Sequence, residues 1–181
     1  MISFKSKIAV KILNYFFLNP QEERYINELS KILNVDVKNL HSKLKELEKE
    51  GLLKSEFRGN QRYFYLNKDF PLLEHYRQIF LKTSGIEYRL KNIIKKIKGM
   101  KNAYLFGSYA QNTMETESDI DLLAIGDHSV LELQKKIAKL QHEISREINV
   151  VNMSEKEYLE KKKKKDQFVL NIFKDKVINL L

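Results

Sequence analysis

Cysteine is absent from the 181 residues, and there are only two prolines and six glycines. Without cysteine there is no disulfide framework, no thiol nucleophile and no Cys-ligated zinc site, and a reducing cytoplasm is the expected setting. So little proline and glycine leaves small room for disordered linker. No apolar run approaches the ~18–20 residues needed to cross a bilayer, so no membrane partner is expected. The first residues, Met1 to Lys7, lead into an amphipathic segment with Lys11 inside it and show no secretory h-region or cleavage site.

What is present is an ordinary globular composition with excess positive charge. The chain is 43% hydrophobic and 31% charged, enough for one ordinary core or two small ones. The net charge is +9. Such a balance suits nucleic acid, a nucleotide or another polyanion, and also suits solubility alone. The excess is spread: 15 basic and 10 acidic residues up to Gly85 give +5, and 18 and 14 after it give +4.

The first half reads as three helices and a hairpin. Ile8, Ala9, Ile12, Leu13, Phe16 and Phe17 recur at helical spacing, and Asn19-Pro20-Gln21 ends that element. Asn27 is the expected N-cap of a short second helix carrying Leu29, Ile32 and Leu33. After the turn Asn34-Val35, Asp36 caps a longer helix expected to bury Val37, Leu40, Leu44 and Leu47, which Gly51 stops. Leu52 to Phe57 and Arg62 to Leu66 then alternate as strands around Arg58-Gly59-Asn60-Gln61. A helix over 71–83 with Leu72, Leu73, Tyr76, Ile79 and Phe80 reads as a connector or dimerisation helix, and Ser84-Gly85 as the boundary.

Tyr25 to Leu66 resembles the winged helix-turn-helix of ArsR- and MarR-type regulators. The resemblance is carried by Ile26-Asn27-Glu28-Leu29-Ser30-Lys31-Ile32-Leu33 and by Leu40 to Leu53, which ends in Gly51-Leu52-Leu53. It implies binding to double-stranded DNA by a homodimer and a role in transcription regulation. The exposed face of the third helix would present Lys38, Asn39, His41, Ser42 and Lys45, side chains able to reach base edges or phosphates. Arg58 and Arg62 flank the expected wing tip. His41 has no companion at ligand spacing and is read as a surface residue rather than a metal ligand.

The second half alternates helix and strand: a helix with Ile86, Leu90, Ile93, Ile94 and Ile97; strands over 102–106, 120–125 and 148–153; a helix over 130–144; and a helix capped by Ser154 with Glu157 three residues on. Phe168, Ile172 and Phe173 are expected to be buried by a last helix, and Val177 to Leu180 suits an edge strand. The five lysines 161–165 read as a solvated helix segment, or as an electrostatic strip for an acidic partner.

The most informative stretch is Leu105-Phe106-Gly107-Ser108-Tyr109-Ala110 followed by Ser118-Asp119-Ile120-Asp121-Leu122-Leu123. A strand running into Gly-Ser lets the backbone approach a ligand, and free N–H groups of a helix start favour phosphate. Asp-x-Asp on a strand aims both carboxylates to one side, where they repel each other unless a divalent cation intervenes. Glu115 and Glu117 would add to that negative charge.

This pattern resembles the minimal nucleotidyltransferases of the DNA polymerase β-like superfamily, over about Ile86 to Leu181. The resemblance implies that Gly107 and Ser108 hold the triphosphate of an NTP, ATP being the expected donor, and that Asp119 and Asp121 bind Mg²⁺ and are catalytic. It also implies a third carboxylate on a later strand. Here the matching slot holds Asn149, which is neutral and cannot serve as a base. Glu147, on the same strand face, is the candidate substitute. The spacer reads Gln111-Asn112 where many relatives carry Arg-Gly.

The expected fold is therefore α+β: a winged helix over residues 1–68, a connecting helix over 69–85, and a small α/β nucleotidyltransferase-like domain over 86–181. Two functions stay open at this point. One is Mg²⁺-dependent transfer of NMP to a hydroxyl on a protein, small molecule or RNA. The other is a regulator whose second domain binds nucleotide or a protein partner without turnover, in the manner of an antitoxin.

Overall fold

The computed structural model describes residues 6–114 and 118–181; the expected acidic contributions of Glu115 and Glu117 lie outside the described residues. The chain divides into two compact units, one comprising residues up to Tyr88 with Glu143–Ser145, the other Arg89–His142 with Arg146–Leu181.

The first unit opens with α1 (Lys7–Leu18), capped by Ser6, whose side chain accepts from the Ala9 amide. Its apolar positions are nearly all buried, with Ile12, Leu13, Phe16 and Phe17 at its heart. A two-residue strand, β1 (Arg24–Tyr25), leads straight into α2 (Ile26–Leu33). Tyr25, not Asn27, is the N-cap of α2 and makes no side-chain cap bond. The reason is local: β1 pairs Arg24 with Phe64 and Tyr25 with Tyr63, so sheet pairing sets the helix start and Asn27 falls inside the first turn.

Helix α3 (Val37–Lys49) does begin on Asp36, whose carboxylate accepts from the Asn39 amide at 3.0 Å. It buries Leu40, Leu44 and Leu47. Val37, expected inside, is exposed at the first position of α3, one turn before the first buried residue, Leu40. Glu50 is the C-cap and Gly51 follows at φ +86. There the Leu52 amide reaches back to the Leu47 carbonyl at 3.0 Å, closing the helix as a left-handed glycine turn does. The hairpin β2 (Leu53–Arg58) and β3 (Gln61–Leu66) pairs antiparallel, and the sheet order is β1-β3-β2. Helix α4 (Leu73–Thr83) then buries Phe80 and Leu81 and leaves Leu72 and Ile79 exposed.

The second unit is a four-stranded sheet with helices. Its elements are α5 (Ile86–Ile94), whose start belongs to the first unit, β4 (Met100–Phe106), α6 (Gly107–Gln111), β5 (Ile120–Gly126), α7 (Val130–Ile144), β6 (Ile148–Met153), α8 (Glu155–Lys163), α9 (Gln167–Lys174) and β7 (Ile178–Asn179). The order is β6-β5-β4-β7, with β5 and β6 parallel and the other pairs antiparallel. β5 is buried on both faces, as a central strand covered by helices must be. On one face Leu123, Ile125 and Met153 pack with Val169 and Ile172 of α9, joined by the half-buried Tyr104, Phe106, Tyr158 and Phe173. Val169 and Ile172 are the buried residues of α9, whereas Phe168, expected in the core, is 44% exposed.

Ser154 caps α8 as expected, accepting from the Glu157 amide at 3.1 Å. Lys162 to Lys165 are exposed at the end of α8, and Lys161 pairs with Glu157 and Asp166 at 3.9 and 3.8 Å. Among the described residues no helix is long and apolar enough to cross a membrane.

Candidate functional site

The site forms where β4 ends and β5 begins. β4 runs into α6 at Gly107, which sits at φ +68, a conformation L side chains rarely adopt. A Cβ added there would stand 2.5 Å from Oδ2 of Asp121. The absence of a side chain at Gly107 is therefore what lets the turn close over the carboxylate. α6 is a single short turn that ends on Asn112 in the left-handed region, φ +65. Asparagine tolerates that conformation next best after glycine, which accounts physically for Asn112 at this position.

Asp119 is exposed just before β5, Ile120 is buried, and Asp121 is half-buried, so alternation places the two aspartates on one face. In the antiparallel register Phe106 lies opposite Asp121, and in the parallel register Asn149 lies opposite Asp121. The Asn149 amide donates to Asp121 Oδ1 at 3.3 Å. Asp119, Asp121 and Asn149 thus gather on one sheet face beside Gly107. Glu147, exposed and one residue before β6, continues the Asn149 face; its carbonyl accepts from the Ile120 amide at 3.1 Å. Beneath this edge the buried Arg146 donates to the Ser118 carbonyl at 2.7 Å, fixing the backbone that presents Asp119. Sequence reasoning did not mark Arg146; an arginine just ahead of a predicted strand carries no distinguishing local signal.

Burial pushes the Asp121 carboxyl above the ordinary aspartate value; the Asn149 hydrogen bond works against that shift, and the charge of Asp119 adds to it. A cation between the two aspartates would relieve both the burial and the repulsion. Among the described residues no group of three or more His, Cys, Asp or Glu side chains could hold a metal. Two carboxylates with a neutral amide are the donor set. That set fits one hard divalent cation, since Mg²⁺ is commonly held by one or two carboxylates and completed by water and phosphate oxygens.

The profile of the nucleotidyltransferase domain matches residues 87–178. The chain belongs to the nucleotidyltransferase domain family. The match runs from Glu87 in α5 to Ile178 of β7, so Gly107, Ser108, Asp119, Asp121, Glu147 and Asn149 all lie inside the nucleotidyltransferase domain. No curated protein matches the chain. Among solved structures, a mutant MntA–HpeT toxin–antitoxin is similar at 16% identity over 53% of this chain and 73% of that chain, TM-score 0.40. A tri-AMPylated Shewanella oneidensis HEPN toxin with MNT antitoxin is similar at 16% identity over 53% and 72%, TM-score 0.32. Reduced HlyU from Vibrio cholerae is similar at 18% identity over 44% and 78%, TM-score 0.35.

In the first unit, Lys38, Asn39, Ser42 and Lys45 are exposed along α3 and His41 is half-buried. A groove of about 730 Å³ between the start of α3 and the hairpin is lined by Lys38, His41, Lys45, Phe57, Gln61 and Arg62 among others. Both hairpin arginines are engaged within the unit. Arg58 pairs with Glu23 and Glu56. Arg62 grips Glu48 of α3 with contacts of 2.8 and 3.0 Å, donates to Ser55 Oγ at 2.8 Å, and lies over the Phe57 and Phe64 rings.

Proposed function

We propose that the chain is a DNA-tethered nucleotidyltransferase: the second unit moves NMP from an NTP, with ATP as donor, to a hydroxyl acceptor, and the first unit is a winged helix that binds duplex DNA. The observation that carries the catalytic half is the close approach of the Gly107 turn to Asp121, with Asp119 on the same face. Gly107 and Ser108 hold the triphosphate against the turn. Asp119 and Asp121 would hold Mg²⁺, which when bound neutralises the charge of the carboxylates and the triphosphate. The residues then align an acceptor oxygen with the α-phosphorus; its bond to that phosphorus forms as the bond to pyrophosphate breaks. Asn149 cannot take the acceptor proton, and Glu147 is the nearest carboxylate on its strand face able to do so.

A second reading is favoured by the same Asn149: a regulator that holds nucleotide, or a protein partner in an antitoxin-like manner, without turnover. Incubation with Mg²⁺, α-labelled ATP and candidate acceptors separates the two. Label transfer by the wild type that falls at least about a hundredfold in Asp119→Asn/Asp121→Asn supports the enzyme. Nucleotide binding without transfer supports the regulator.

For the first unit, the groove supplies Lys38 and Lys45 as solvent-exposed cations, whereas Arg58 and Arg62 face intramolecular carboxylates. Lys38→Ala/Lys45→Ala is therefore expected to lower the slope of log affinity for duplex against log salt by about 2. Arg58→Ala is expected to change it less. Fluorescence anisotropy across a salt series reads both, and an unchanged slope in the lysine pair would remove α3 from the interface. A homodimer is the expected bound form, since paired half-sites call for two copies.

A further inference from the structure

Helix α9 presents two faces of different character. Val169 and Ile172 enter the core, and beside Ile172 the residues Phe168 and Asn171, with the C-cap residue Asp175, form an adjoining side. That side walls a cavity of about 170 Å³ whose other wall is Phe106, Gly107 and Gln111. Phe168 lines it while remaining 44% exposed, an aromatic ring the core does not use. The cavity is open to solvent beside Phe168, so a planar ring can lie on that side chain while the rest of its ligand stays outside.

The cavity adjoins the candidate site through Gly107. Phe106 is the register partner of Asp121 and so shares its sheet face, and Gly107 is the residue that abuts the Asp121 carboxylate. Its lining divides into an apolar part, Phe106, Phe168 and Ile172, and a polar edge, Gln111, Asn171 and Asp175. Gln111 donates to Asp175 Oδ2 at 3.2 Å, which leaves its own carbonyl oxygen and the second Asp175 oxygen as acceptors. Asn171 Oδ1 takes the Gln167 amide at 2.9 Å, which leaves the Asn171 amide nitrogen as a donor. A ring that stacks on phenylalanine and offers an exocyclic amine to acceptors is an amino-bearing nucleobase, and adenine is the one the proposed ATP donor carries.

We propose that this cavity is the nucleobase subsite of the nucleotide site, with Phe168 as the stacking platform and Asp175 and Gln111 reading an exocyclic amine. The assignment rests on the reading of Gly107 and Asp121 as a triphosphate site, and the probes are chosen to separate the two. Titration calorimetry with Mg²⁺ compares ATP, UTP and inorganic tripolyphosphate on the full chain, wild type against Phe168→Ala and Phe168→Tyr.

ATP binding is expected to weaken at least about tenfold in Phe168→Ala, the scale of losing one base–aromatic stack, and to recover in Phe168→Tyr. Tripolyphosphate is expected to bind all three proteins within about twofold, and UTP to bind the wild type more weakly than ATP, since it lacks the amine. Equal affinities for ATP and UTP would overturn the edge assignment. ATP binding indifferent to Phe168, or ATP and tripolyphosphate weakened alike, would overturn the subsite. If the wild type binds ATP through Phe168 but not tripolyphosphate, the base subsite stands and the triphosphate reading falls. If the wild type binds neither ligand, both fall. Because Phe168 is exposed rather than packed, its truncation opens no core cavity, and a thermal melt checks this directly.

Discussion

Gly107→Ala is expected to reduce nucleotide transfer by at least about a hundredfold while the chain stays folded, the scale of an ~1 Å misplacement of a catalytic group. Two effects combine at this position. The backbone sits at φ +68, where an L side chain costs ~1–2 kcal/mol. The new Cβ would also meet Asp121 Oδ2 at 2.5 Å, so either the carboxylate turns away or the α6 start shifts outward. Both displace the turn from the aspartate it is built around. Gly59 supplies an internal control. It lies at φ +59 in the β2–β3 turn, and a Cβ there meets nothing within 4 Å. Gly59→Ala therefore carries the backbone penalty without the contact, and should lower the melting temperature to a similar degree while leaving transfer unchanged. Equal activity losses in the two variants would mean that strain, not the carboxylate contact, is responsible. Unchanged transfer in Gly107→Ala would remove the turn from the site altogether.

The parts of this molecule that were legible in its sequence are those governed by local spacing. Asp36, Gly51 and Ser154 punctuate helices through chemistry that acts within three or four residues, and each does so in the structure. Asp-x-Asp on a strand forces a shared face whatever the rest of the fold does. Features set by pairing at a distance were not legible. β1 is two residues long and exists because β3 lies beside it, which moved the start of α2 off Asn27. The charge of Arg62 was readable, but its grip on Glu48 follows from the hairpin folding back on α3. Phe168 was misplaced because apolar residues occur nearly all round α9, at 168, 169, 170, 172 and 173, so periodicity alone could not tell the core face from the cavity face. Asn149 was marked in the sequence only through the family resemblance; the parallel β5–β6 register that sets it opposite Asp121, and the hydrogen bond between the two, are non-local and carry no local signal.

Asn149 is where the sign of an effect reverses between conditions. In the metal-free protein Asn149→Asp is expected to destabilise the fold, because the amide that donates to Asp121 Oδ1 at 3.3 Å becomes a carboxylate facing one. Asp121 is already held above the ordinary aspartate range by burial and by Asp119, so a third negative group raises it further. With Mg²⁺ present the same change supplies a third oxygen ligand of full charge, and the affinity is expected to rise about ten- to a hundredfold, since ligand charge count is the main control on such sites. The melting temperature of Asn149→Asp should therefore lie below the wild type in chelator and respond to Mg²⁺ more steeply. If Asn149 also limits catalysis, transfer from labelled ATP rises together with that Mg²⁺ response. Asn149→Ala separates charge from packing: it loses the hydrogen bond without adding a ligand, and is expected to gain neither Mg²⁺ affinity nor transfer. An Asn149→Asp variant whose melting temperature ignores Mg²⁺ would show that position 149 does not face the metal. One that binds Mg²⁺ tightly yet transfers nothing would assign the domain to nucleotide holding rather than turnover.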